Sequence, residues 1–116
     1  MAKEHVLFFY LQVDMQETKS VTAIVTMGGV NPTSSNHQWI MSYTLSYSTS
    51  SSDEFISVTD NGTEQVFDGN ANNDSAKHHD FAIPIVARKV RLHPKSWYNG
   101  VTLHWGLIGC SYGKLK

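Results

Sequence analysis

The run from Ile83 to Cys110 sets the tightest limits on what this chain can fold into. Val86, Arg88, Val90 and Leu92 alternate with Ala87, Lys89 and Arg91, and Val101, Leu103, Trp105 and Leu107 share one face of a second segment. Residues 94–100 between them, with Pro94, Trp97 and Gly100, read as a turn. A period of two is a poor helix pattern and a good one for a half-buried strand. The run ends at Cys110, the only cysteine of the sequence, so no disulfide can close within this chain. Taken by itself, a single thiol reads as a small buried hydrophobe.

The same period recurs upstream. Trp39, Met41, Tyr43, Leu45 and Tyr47 alternate with Ile40, Ser42, Thr44, Ser46 and Ser48, and Val21, Ala23, Val25 and Met27 fall on one side of residues 20–27. Further strands are expected over 10–14, 54–58, 63–67 and 81–85. Asp60-Asn61-Gly62 between the second and third of these is a strong hairpin-turn signal. Turn-rich spacers occupy 28–38, 50–53 and 69–79, and no segment has helical periodicity with caps at both ends. The expectation is an all-β chain of many short strands, a sandwich or jelly roll of two antiparallel sheets.

Composition narrows the function classes. With 116 residues the chain makes one domain at most. A formal net charge of -1 gives no electrostatic lead toward nucleic acid or an anionic membrane. Charged residues are 16% and hydrophobic residues 41%, outside the range of compositional disorder. Residues 1–13 contain Lys3 and the apolar Val6 to Leu11, but Gln12 and Asp14 close that run and no small-residue cleavage site follows, so a buried strand is preferred to a signal peptide. Asn61-Gly62-Thr63 and Asn73-Asp74-Ser75 are N-glycosylation acceptors, while Pro32 excludes Asn31-Pro32-Thr33.

These pieces together carry a resemblance: Tyr10-Leu11-Gln12-Val13-Asp14, the segment from Val21 to Gly28, Trp39 to Ser48, Val66-Phe67-Asp68-Gly69-Asn70, and the run from Ile83 to Cys110. In order and spacing the chain resembles the discoidin domain family, also called the coagulation factor V/VIII type C domain, over about residues 10–110. The resemblance implies an eight-stranded, galactose-binding-like jelly roll closed by a disulfide between the two ends of the domain. Cys110 matches the second cysteine of that pair, and the first has no counterpart here. The expectation is therefore a single partial domain over 1–116 that lacks its opening strands, a fragment or truncated gene product. The absent clasp would contribute on the order of 4 kcal/mol in the chain-entropy model.

The resemblance also implies that loops at one end of the barrel bind ligands. Residues 28–38 match one such loop, and Asn31, Ser35, Asn36 and His37 at its tip are candidate contacts. Tyr98, Asn99 and His104 belong to neighbouring segments, with Trp97 expected in core or turn packing. His104 stands where several members carry an arginine, and imidazole lacks the guanidinium fork for carboxylate or phosphate. Members that bind membranes display apolar spikes there. Here only Val30 is apolar and no Lys or Arg is near, so membrane binding is not expected.

Other residues are read as structural. His78 and His79 are adjacent and would face opposite sides of a strand, so no metal site is expected. Residues 68–79 start like a calcium loop but carry Asn73 and His79 where Gly and Glu are needed. No serine sits in a nucleophile elbow, Cys110 has no base nearby in sequence, and His93 before Pro94 is structural. Either Arg88 or Arg91 is expected in a buried pair, with Asp14 as a candidate partner. The reading is a non-catalytic extracellular module without cofactor. Its partner is a cell-surface or matrix protein, or alternatively a galactose-type glycan, and not nucleic acid.

Overall fold

The computed structural model describes residues 10–111. They form nine strands and, among these residues, no helix: β1 (Leu11–Met27), β2 (Gly29–Val30), β3 (His37–Ser48), β4 (Ile56–Ser57), β5 (Thr59–Asp60), β6 (Thr63–Glu64), β7 (Phe67–Asp68), β8 (Lys77–Tyr98) and β9 (His104–Ser111). Seven strands join in one antiparallel ladder of order β2-β3-β8-β1-β9, with β4 and β7 also on β3, and β5 pairs with β6.

Two long strands turn this ladder into a sandwich. The early half of β1, Leu11 to Asp14, pairs with Leu92 to Lys89. The later half, Lys19 to Thr26, pairs with Ala87 to Lys77. The register slips between Asp14 and Lys19 and again between Val21 and Ala23. Such bulges bend a strand and increase its twist, so β1 and β8 each serve both layers. Phe67 joins the layers. It stacks on Tyr43 of β3 at 5.3 Å and meets Phe81 and His79 of β8 edge-on at 5.9 and 4.9 Å. Around it the core gathers Val21, Ile24, Ile40, Leu45, Ala87, Val90 and Leu92. Burial pushes the Tyr43 phenol well above its ordinary pKa, with Asp68 adding to the shift.

Several expectations are corrected here. Segments 10–14 and 20–27 are one strand, as are 81–85 and 86–92, because bulges continue a ladder where sequence shows an interruption. Residues 81–84 are looped out of the pairing with β1, which accommodates Pro84 and leaves Ile83 80% exposed. The expected turn at 94–100 is strand as far as Tyr98; Pro94 sits opposite Tyr43 at a second irregularity. The strands expected at 54–58 and 63–67 shrink to β4, β5, β6 and β7.

Each bulge also switches which parity faces the core. In β3 the inward residues are Ile40 and then Tyr43 and Leu45, which turns Met41 outward. In β8 they are Ile85 and Ala87, then Val90 and Leu92. In β1 they pass from Val21 to Ile24 and Thr26. The Asp60-Asn61-Gly62 turn forms as expected, with left-handed φ at Asn61 (54°) and Gly62 (81°), the requirement of a type I′ hairpin.

Candidate functional site

All seven loop candidates lie at one end of the sandwich, around the short strand β2. Val30 pairs with His37, Trp39 with Tyr98, and Met27 with His104, so the start of β3, the end of β8 and the start of β9 converge there.

The β2–β3 loop braces itself. Asn31 Oδ1 accepts from the amides of Thr33 and Ser34 at 2.8 and 3.1 Å. The Asn31 amide donates to Asn36 O at 2.9 Å, and Ser35 donates to Asn31 O at 2.8 Å. Ser35 holds a left-handed φ of 64°. Asn31 is thereby committed to the loop's own shape, an Asx-turn, whereas Asn36 and His37 are exposed.

The second loop is fastened to the first by Gln38, which sequence reading left without a role. Gln38 is buried. Its Nε2 donates to Asn99 O at 3.0 Å, and its Oε1 accepts from Thr102 Oγ1 at 2.6 Å. Asn99 Nδ2 reaches His37 O at 3.4 Å. Asn99 and Gly100 take φ of 61° and 147°, and a Cβ on Gly100 would lie 2.4 Å from Gln38 Nε2.

Trp39 and Tyr98 stack at 4.3 Å with 15° between their planes, and Tyr98 remains 46% exposed. Trp97, expected in core or turn packing, is instead 39% exposed on the strand. His104 Nδ1 donates to Gly28 O at 3.1 Å; in the neutral ring this leaves Nε2 as an acceptor. The end thus presents an aromatic pair, amides, hydroxyls and imidazoles. Residues 28–39 and 97–104 include no Lys or Arg.

The other sequence candidates lie elsewhere. Cys110 is a free, exposed thiol on β9, opposite Ser20. Asn61 is exposed in its turn, and Asn73 is half-buried in a loop that Asn72 Oδ1 fastens to the amides of Asp74 and Ser75. His78 Nε2 meets Asp80 Oδ1 at 2.7 Å on one face, while His79 packs on Phe67 from the other. Among the described residues no three His, Cys, Asp or Glu side chains converge on a point.

Of the two arginines, Arg88 pairs with Asp14, at 3.1 Å and at the surface rather than buried as expected, while Arg91 Nε goes to Gln12. The hydrogen bond from Arg88, helped by the Gln16 amide, holds the Asp14 carboxyl below the usual range. The His93 Nε2 and Ser46 Oγ are 2.8 Å apart, and burial with nearby Lys95 depresses the imidazole pKa.

A family model described as the F5/8 type C domain matches residues 2–107. Similar proteins include lactadherin of Rattus norvegicus, 39% identical over 104 residues, which are 87% of this chain and 23% of that protein. Neuropilin-1 of Xenopus laevis is 31% identical over 87% of the chain and 11% of its own length. The non-catalytic subunit of the venom prothrombin activator pseutarin-C of Pseudonaja textilis is 32% identical over 87% of the chain and 7% of its length. The chain therefore spans less than a quarter of each of these relatives. Among solved structures, recombinant discoidin II of Dictyostelium discoideum superposes with a TM-score of 0.74 at 24% identity, over 87% of this chain and 37% of that one. That likeness establishes the jelly-roll fold.

Proposed function

The chain belongs to the F5/8 type C domain family, and on that premise we propose that it is a non-catalytic, extracellular recognition module. Its contact surface is the loop end formed by Asn31, Ser35, Asn36, His37, Tyr98, Asn99 and His104. Its partner is a cell-surface or matrix protein. The observation that carries this reading is the bracing of the two loops by Gln38, which holds a polar, aromatic surface in one shape. A preformed surface avoids part of the ordering entropy of binding. The name of one relative, a non-catalytic subunit, agrees with a binding role.

The character of this end argues against membranes. Val30, Trp97 and Tyr98 are exposed there, yet residues 28–39 and 97–104 include no Lys or Arg. Insertion into anionic lipid draws on both apolar area and basic residues. A second reading, a glycan of galactose type, has its own support: the Tyr98 ring is exposed beside the Asn99 amide, the pairing of apolar face and hydrogen-bonding group that sugars use.

Binding of the full chain to immobilised cell-surface and matrix proteins tests the proposal. Tyr98→Ala and Asn99→Ala should each weaken it, and free galactose should not compete. Competition by galactose would move the assignment to the glycan. Pelleting with phosphatidylserine vesicles, unaffected by the same substitutions, would overturn both.

A further inference from the structure

Further along the β3–β8 pair, on its outer face, a cleft of about 440 Å³ holds groups that the loop end does not use. Ser46 lies opposite Arg91 and Thr44 opposite His93 in the ladder, and Lys95 follows on the same strand. Ser57 and Glu64 close the other side, with Tyr10 and Phe55 flanking Arg91.

Arg91 is the organised element of this cleft. Its guanidinium carbon lies 4.1 Å from the Tyr10 ring centroid and 3.7 Å from that of Phe55. Aromatic contacts on guanidinium faces leave the in-plane N–H groups available. Nε is committed to Gln12 Oε1 at 2.8 Å. Among the described residues no hydrogen bond engages the two Nη groups, the edge that grips an oxyanion with two parallel hydrogen bonds. Among the described residues Arg88, Lys89 and Lys19 each have a carboxylate within 4.0 Å, whereas Arg91 and Lys95 have none.

We propose that this cleft binds an acidic saccharide, whose carboxylate or sulfate ester is held by Arg91 and Lys95. The remaining lining selects a sugar over an acidic peptide. Glu64 offers acceptors, and the Ser57 hydroxyl donates to it at 3.4 Å. Ser46, nearly buried at the floor, keeps a hydroxyl beside His93. A sugar's hydroxyls can donate to Glu64 while its acid group sits on Arg91. A peptide offers backbone N–H donors as well, but fewer of them around one acid group than a sugar ring has hydroxyls.

The test is titration of the ¹⁵N-labelled full chain with a sulfated, uronate-containing disaccharide at low salt. Amide shifts are expected at Ser46, Ser57, Glu64, His93 and Lys95, and none with a neutral disaccharide of the same size. Lys95→Gln, at an exposed position, should weaken binding about five- to tenfold, the scale of one charge-assisted hydrogen bond. Arg91→Lys, which keeps the charge and loses the fork, should weaken it as well. The charge-matched change Lys77→Gln, on the far part of β8, should leave it unaltered. Unchanged affinity in Lys95→Gln would overturn the proposal. So would shifts confined to residues 31–37 and 98–104, or an aspartate-rich peptide that binds as well as the disaccharide.

Discussion

The carboxamide of Gln38 and the carbonyl of Asn99, 61 positions apart in sequence, are joined at 3.0 Å, and this bond with its Thr102 counterpart fixes the shape of the loop end. Replacement by Leu removes both bonds and leaves Asn99 O and the Thr102 hydroxyl without their partner. Partly buried groups orphaned in this way cost about 1–3 kcal/mol. Gln38→Leu should therefore lower the urea midpoint with the slope unchanged. Ligand binding at the loops should weaken further than stability alone explains.

Two titrating groups should mark separate pH windows. The His93 pKa in the fold lies below its ordinary 6.5, chiefly through burial and then Lys95. The unfolded chain therefore takes up this proton first, and stability falls as pH drops below 6.5, levelling off once the folded imidazole is also protonated. Asp14 is lowered from 3.8. Its contribution is complete above 3.8 and is lost only as pH falls through the depressed value. Denaturant midpoints measured against pH should show two declines. His93→Gln should abolish the upper one and Asp14→Asn the lower.

Phe67 is the side chain on which the two layers meet, through Tyr43 on one side and Phe81 and His79 on the other. It is almost fully buried. Truncation to Ala should cost about 3–5 kcal/mol, as for other buried aromatics, read as a fall in unfolding free energy and in near-ultraviolet dichroism. Phe67→Leu should retain the larger part.

What sequence could convey about these features follows from how local they are. The Asn61-Gly62 turn and the opposed His78 and His79 were legible, because each depends on strand parity or turn chemistry over a few residues; the choice of Arg88 over Arg91 for Asp14, 74 positions away, and the pair's place at the surface were not. The inward faces of β1, β3 and β8 came through only between bulges. Nothing in a period-two pattern marks where one extra residue resets it, so the alternation that groups Met41 with Tyr43 and Leu45 does not show that Met41 faces outward. At the loop end the tip residues were legible as polar and turn-forming. The role of Gln38 was not, because its partners come from a strand that only the folded topology brings beside it.

Gly100 offers the sharpest test of that long-range link. Its φ of 147° is one that an L side chain rarely adopts, and an added Cβ would meet Gln38 Nε2 at 2.4 Å. The obstructing atom is the end of a flexible side chain, so Gly100→Ala can be accommodated sterically if Gln38 swings away. That swing would break the bonds to Asn99 and Thr102. The cost in the wild-type background is then backbone strain, about 1–2 kcal/mol, plus the loss of the Gln38 bonds. In a Gln38→Ala background only the strain is left to lose. The two substitutions should accordingly be non-additive, the double variant being more stable than the sum of the single effects by about 1 kcal/mol or more. Urea denaturation of the four proteins of this cycle measures the difference, and strict additivity would mean that Gly100 and Gln38 act independently.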